Sequence, residues 1–414
     1  MKHIKRMSGT AVAALLSQGA LAQDAPELDV IHWLTAGAEQ AAIQVLADAV
    51  EARGGTWVDS AAPGGGADAR AILMSRIAGG DAPGASFLAL GPEAIELGEG
   101  GALRDLREIA SQHGVENVAP VMVDISSTED GSLYALPIGL ETQNLMYYSP
   151  AAFEAAGVDM PQSWDDVIAS ADTLRDAGII PVAVGAQAWQ LGILFTSVVV
   201  GEGGSDLYAA TFVDKDSDTA GSADMVAAFE TMRALSDMAD EGAANRAWND
   251  TLNLLASGDA AFQIMGSWAG AELANMELEQ GTVWDCALAP GNDAVVVEGA
   301  GFMFPEPSSG ETRAAQDIFV EVLLDPTVQA EFGAVKGAVP PSSTADTSAM
   351  SSCTQLVAGV LGSEDGTGLP TISASLSSDG WGQVQDMLAN FWADSSMSAQ
   401  AGADQLAAII ASQN

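Results

Sequence analysis

The sequence predicts an α/β protein of two lobes, each a mostly parallel sheet flanked by helices, with the chain crossing between them at hinge segments. Three observations carry the prediction. Strand and helix signals alternate as β-α-β-α-β between Leu28 and Leu90, with glycines at the joints. A strand at 133–138 then leads to a second group of strand and helix signals. The chain has 414 residues, 48% of them hydrophobic, which is enough for more than one core.

The first strand covers residues 28–34. After a turn at Gly37, residues 39–53 have helical spacing, with Ile43, Leu46 and Val50 apolar on one face. Gly54 and Gly55 stop that helix, and residues 56–58 start a second strand. Gly64, Gly65 and Gly66 lead into a helix with Ile72, Leu73 and Ile77 at core spacing; Gly79 and Gly80 end it, and 86–90 is a third strand. Further on, Ser163 is placed to cap a helix that begins at Trp164, with Asp166 at its third position. Residues 182–184 open a strand of the second lobe, 225–238 form an amphipathic helix, and 260–265 form a buried strand. The chain returns to the first lobe near Ala289, packs a helix at 312–324 there, and crosses again at 336–340. Residues 341–380 are rich in Ser, Thr, Gly and Asp and are expected to form loops around short elements; helices follow at 383–392 and 401–410. These crossings place 23–136 with 288–337 in one lobe and 137–287 with 338–414 in the other. A cleft between lobes is a usual place for a small-molecule site, and repeated crossings make a hinge.

Residues 1–22 have the three-part layout of a secretory signal peptide: Lys2, Lys5 and Arg6, then an apolar run from about Ala11 to Leu16, then Ala20-Leu21-Ala22 as a small-x-small cleavage site. The run is shorter than the ~20 apolar residues that span a bilayer. Gln23, rather than a cysteine, follows the cut, which predicts a soluble product without a lipid anchor. Lysine and arginine number 14 against 56 acidic residues, a net charge of −42. Cleavage removes three of the basic residues and leaves Lys215 and Lys336 as the lysines. So acidic a surface repels nucleic acid and anionic membranes. Cys286 and Cys353 are expected to form one disulfide in an oxidising compartment. With only His32 and His113 left after cleavage, neither a metal site nor histidine-based catalysis is supplied. No cofactor is expected.

In this frame the chain resembles the glucose/mannose-type extracellular solute-binding proteins of bacterial ABC transporters. The resemblance runs through Ile31-His-Trp-Leu-Thr-Ala-Gly-Ala-Glu39, Gly64-Gly-Gly66, Gly79-Gly-Asp-Ala-Pro83, Tyr134-Ala-Leu-Pro137 and Pro161-Gln-Ser-Trp-Asp-Asp166. It continues through Gln187-Ala-Trp-Gln190, Phe262-Gln-Ile-Met-Gly-Ser-Trp-Ala269, Ala287-Leu-Ala-Pro-Gly291 and Val335-Lys-Gly-Ala-Val-Pro340. Each motif is weak alone; their shared order carries the resemblance. It implies a two-lobed periplasmic-binding-protein fold of type II, a sugar or polyol in the cleft, and docking onto membrane permease subunits. A chemoreceptor is a further partner that the fold could serve. The expected state is a monomer in the periplasm, and the expected role is binding rather than catalysis.

Sugar recognition needs aromatic faces against the C–H face of a pyranose and polar groups for its hydroxyls. Trp33 lies at the C-terminal end of the first strand, where open α/β sheets place ligands. The resemblance implies ligand contacts for Trp33, Glu39, Gln187, Trp189, Trp248, Trp268 and Lys336. Glu141 stands at an altered position and could bond hydroxyls or attract an amino-bearing solute. Other altered positions are Leu34, Gly139, Ser267, Gly299, Ala300 and Ser375, where several hydrogen-bonding groups of the family's sugar cage are replaced. Trp164 and Trp392 are assigned to packing. Glu39 and Glu141 are the pair a glycosidase reading would need, but such pairs require a fixed separation across the scissile bond.

Overall fold

A computed structural model describes residues 25–63, 65–363 and 368–413. The signal-peptide reading of residues 1–22, the start at Gln23 and Gly64 lie outside the described residues. Among the described residues ten strands form two sheets: β1 (Glu27–His32), β2 (Thr56–Ala61), β3 (Ala85–Ala89), β4 (Ala135–Thr142), β5 (Leu145–Tyr148), β6 (Ile180–Val182), β7 (Ala260–Met265), β8 (Asp285–Leu288), β9 (Val295–Met303) and β10 (Gly368–Pro370).

The larger sheet has the order β10-β9-β3-β1-β2, with β4 also paired to β9; the smaller is β6-β7-β5-β8. The pairs β1–β2, β1–β3, β10–β9 and β6–β7 are parallel, as the β-α-β pattern predicts. The pairs β3–β9, β4–β9, β5–β7 and β5–β8 are antiparallel, so both sheets are mixed. The antiparallel pairs arise where the chain leaves one sheet and returns beside itself, a geometry that needs no crossover helix.

Two apolar cores sit behind these sheets. One gathers Leu28, Val30, Leu46, Phe87, Phe302 and Phe319 and belongs to the first lobe. The other gathers Trp164, Phe195, Phe212, Phe229, Phe262 and Phe391 and belongs to the second. The helix Ala188–Tyr208, kinked at Gly204, runs through the second core; every residue from Gln190 to Val200 is buried, Leu191, Phe195 and Val198 through Val200 among them. A helix that is apolar all round belongs inside a protein. Ser163 and Asp166 form the expected reciprocal cap: Ser163 Oγ accepts from Asp166 N at 3.2 Å, and Asp166 Oδ2 accepts from Ser163 N at 3.1 Å. Trp164 is fully enclosed, in keeping with its packing role.

β4 and β9 join the lobes. Leu136 and Phe302, paired across these strands, lie in the first core, while Val296 at the other end lies in the second. Just past β4, Asn144 ties the two crossings together. Its Nδ2 donates to Asn292 Oδ1 at 2.7 Å and to Ala294 O at 2.8 Å. Its Oδ1 accepts from Val296 N at 2.8 Å and from Thr142 Oγ1 at 3.1 Å.

Cys286 on β8 and Cys353 on the helix Ser352–Leu361 are bonded, as expected. The bridge braces the second lobe and closes a loop of 67 residues, which by chain entropy stabilises the fold by about 4 kcal/mol. Within 341–380 the described residues contain this ten-residue helix, β10, the four-residue helix Ile372–Ser375 and the start of the helix Ser378–Ala393, short elements set among loops as the composition suggests.

Candidate functional site

Charged and aromatic side chains collect where the lobes meet. Lys336 ends the helix Pro326–Lys336 of the first lobe and is buried. Its Nζ lies 2.5 Å from Glu141 Oε1 and 4.0 Å from Glu39 Oε1. It also sits 5.0 Å from the ring centre of Trp268, within cation–π range. Trp268 opens the helix Trp268–Asn275 of the second lobe. A lysine of one lobe thus rests on an aromatic face of the other. Trp189 lies 6.5 Å from Trp268, tilted by 45°. Its Nε1 donates to Gln187 Oε1 at 3.0 Å, which also accepts from Gln190 Nε2 at 2.8 Å. Glu39, Glu141, Gln187, Trp189, Trp268 and Lys336 therefore form one connected set.

Trp33 and Trp248 make their contacts elsewhere. Trp33 packs edge-on against Phe87 at 4.7 Å and keeps partial exposure. Trp248 opens the helix Trp248–Ala256, half-buried against the second core.

Glu39 is the third residue of the helix Gly37–Ala52. Its Oε2 accepts from Thr35 N and Ala36 N, both at 3.0 Å, so the carboxylate caps its own helix. Burial pushes its carboxyl above the ordinary range; Lys336 and the two N–H groups pull it back, and Glu141 adds to the push. The helix-capping role and the place beside Lys336 are both real features of this residue.

A residue that the sequence reading passed over stands opposite Glu141. The antiparallel register pairs Glu141 with Glu298 across β4 and β9, so two carboxylates share one face of the hinge. Glu298 keeps an exposed edge, yet burial of its carboxyl, reinforced by Glu141, raises its pKa from 4.5 to about 7, against the opposing effects of Gln143 and Lys336. The sequence signal was a lone acid inside the apolar run Val295-Val-Val-Glu-Gly299. The raised value means that the folded protein holds a proton which the unfolded chain releases between pH 4.5 and 7. Stability from this group is present below about pH 4.5 and is lost as pH rises through 7, an effect of about 3 kcal/mol. Glu298→Gln should therefore melt higher than the wild type at pH 8, with the difference shrinking toward pH 5. Melting curves across that range that stay parallel for the two proteins would refute the assignment.

Two altered positions have become packing sites. A side chain at Gly139 would begin 2.8 Å from Ala338 Cβ, and one at Gly299 would begin 2.8 Å from Leu90 Cδ1. The space beside these strands is filled from within the protein.

The pair that a glycosidase reading would need is tied up by a lysine. Both Glu39 and Glu141 lie within 4.0 Å of one ammonium, so the two carboxylates serve as partners of Lys336. Among the described residues no group of three or more His, Cys, Asp and Glu side chains could hold a metal ion.

Two α/β lobes joined by a strand pair, with an aromatic and charged set divided between them, have the architecture of a two-lobed solute-binding protein. The chain belongs to the family described as bacterial extracellular solute-binding protein, whose profile matches residues 36–330. It is 33% identical over 337 residues, 81% of each chain, to a probable sugar-binding periplasmic protein of Rhizobium meliloti (strain 1021). A probable sugar-binding periplasmic protein of Brucella melitensis biotype 1 is likewise 33% identical, over 83% of this chain and 82% of the relative. Among solved structures, a chitin oligosaccharide binding protein shares the fold with a TM-score of 0.78 at 16% identity, covering 94% of this chain and 99% of the other.

Proposed function

We propose that this protein, a periplasmic solute-binding component of an ABC importer, captures a monosaccharide or polyol of the glucose/mannose class by closing its two lobes around it. One observation carries the reading: Lys336 of the first lobe meets the face of Trp268 of the second, with Glu39 and Glu141 beside it. An aromatic face stacks on a pyranose, and carboxylates and amides accept hydroxyl protons. Sugar-binding relatives at 33% identity over four-fifths of the chain support the same class.

In this reading Trp189, Trp268 and Gln187 supply the second lobe's wall, and Lys336, Glu39 and Glu141 the first lobe's. Trp33 and Trp248 complete the cleft when a solute orders them. Lys336 exchanges part of its bond to Glu141 for a hydroxyl of the solute. The lobes comprise 23–136 with 288–337 and 137–287 with 338–414, residues 1–22 direct export, and a monomer delivers the solute to permease subunits. A chemoreceptor could read the same closed form.

A second reading is favoured by one feature. Glu39, Glu141 and Glu298 outnumber the single ammonium of Lys336, an imbalance that suits an amino-bearing solute.

A melting screen of monosaccharides, disaccharides, polyols and amino-bearing solutes separates the two. At a hundredfold excess over Kd, a ligand that binds only the folded state adds about 2.7 kcal/mol. At least one neutral monosaccharide or polyol should produce such a shift, and Trp268→Ala should abolish it. A shift confined to cationic solutes would replace the sugar reading with the second one.

A further inference from the structure

Two carboxylates outside the solute set bridge the lobes. Each sits on the N-terminus of a helix in the opposite lobe. Glu272, on the second-lobe helix Trp268–Asn275, accepts from Ala38 N at 2.8 Å in the first turn of the first-lobe helix Gly37–Ala52. Glu96, on the first-lobe helix Pro92–Glu99, accepts from Ser378 Oγ at 2.9 Å and Ser378 N at 3.4 Å, at the start of the second-lobe helix Ser378–Ala393. The two contacts are reciprocal: each lobe gives one carboxylate and receives one.

The lobes come close at both places, side-chain ends facing Gly37 and backbone facing Gly91. A side chain at Gly37 would begin 2.4 Å from Asn275 Nδ2, and one at Gly91 would begin 3.2 Å from Ser373 O. Glycine at these two helix starts lets the opposite lobe approach. A negative charge at a helix N-terminus gains from unsatisfied N–H groups and the helix dipole, and such a bond to an ionised acceptor is stronger than a neutral one. Neither contact lies on the β4–β9 strands. Rotation of one lobe about that pair carries the carboxylates away from their helices, and bonds of 2.8–2.9 Å do not survive a displacement of that kind.

We propose that Glu272 and Glu96 are positioning residues that hold the lobes closed and so set how tightly the cleft retains its solute. The proposal rests on the two-lobed clamp and not on which solute fills it. Glu96 lies apart from the solute set; Glu272 shares a helix with Trp268 and bonds the amide beside Glu39, so Glu96 is the cleaner probe of the balance of open and closed forms.

The test uses the mature protein without any solute. Small-angle X-ray scattering is compared for the wild type, Glu96→Ala, Glu272→Ala and the double variant, with circular dichroism to verify folding. The expected result is a larger radius of gyration for the double variant. Exchange of the Ala38 and Ser378 amide hydrogens should also become at least tenfold faster, because each loses its cross-lobe acceptor. Glu96 is exposed, so Glu96→Ala folds independently of any cost at the buried Glu272 and tests the proposal alone if the double variant does not fold. Scattering curves that superimpose on the wild type for the folded variants overturn the proposal. Because no sugar is present, that failure is separate from failure of the carbohydrate reading.

Discussion

Replacing Lys336 by Met should destabilise the protein by roughly 3–5 kcal/mol at neutral pH and abolish solute binding together. The lysine is 2% exposed and is the near cation for both Glu39 and Glu141. Its loss leaves two enclosed carboxylates without a counter-charge, and an uncompensated buried charge costs far more than a surface ion pair is worth. The sign with pH follows. Without the ammonium, the Glu39 carboxyl, already pushed up by burial, loses the nearby charge that pulls it back, and so binds a proton more readily in the folded state than in the unfolded chain. The penalty is therefore largest at high pH and shrinks as the solution is acidified toward the ordinary glutamate value of 4.5. A double variant, Lys336→Met with Glu141→Gln, should recover much of the loss, since it removes one of the orphaned charges. Urea denaturation of the four proteins of the cycle measures the coupling. A single-variant cost below about 1 kcal/mol, or no recovery in the double variant, would show that the triad is solvated rather than buried.

The second large effect is expected at Asn144. Asn144→Ala removes one side chain that makes four hydrogen bonds at the hinge, two given and two received. Val296 N–H and Ala294 C=O are then left buried beside a methyl group. Each orphaned group costs about 1–3 kcal/mol, so the variant should lose roughly 2–6 kcal/mol. Asn144→Asp matches the shape but turns a donor toward two acceptors into a third acceptor, and should be no better. Asn292 extends the same network by donating to Ser197 O at 2.8 Å in the long second-lobe helix. This end of the β4–β9 crossing is thereby pinned to the second lobe. Chemical denaturation of Asn144→Ala with an unchanged midpoint would remove Asn144 from this role.

Neither Asn144 nor Glu298 was legible in the chain. The run Ala294-Val-Val-Val-Glu-Gly-Ala-Gly301 breaks strand alternation with two glycines, and strand signals rest on that alternation. β9 is a strand because β3 and β4 flank it on both sides, and those partners lie some 200 and 150 residues away. Glu141 is similar: as a residue type it reads equally as a rim charge or a ligand, and only the register that sets it opposite Glu298 and beside Lys336 distinguishes them. The long helix Ala188–Tyr208 was also hidden, because an apolar run with no polar face has no helical period to read.

Local physics, by contrast, is written into short segments. The β-α-β-α-β order of the first lobe follows from apolar spacing and glycine stops, and it appears as β1, β2 and β3 with their intervening helices. The cap at Ser163 and Asp166 needs only four residues of chain, so its geometry was set before any tertiary contact. Two cysteines in an oxidising compartment had one partner each to find.

What the sequence determined alone is thus the two-lobed α/β class, the local helices and strands, the acidic surface and the cysteine pair, because these depend on spacing within a few residues or on composition. What only the tertiary structure decided is the antiparallel hinge, the ion cluster around Lys336 and the reciprocal carboxylates Glu272 and Glu96. Each of these joins residues far apart in the chain, as Glu141 and Lys336, or Ala38 and Glu272, are. No local pattern encodes such a meeting; it depends on the register of strands and the packing of helices that the folded lobes impose.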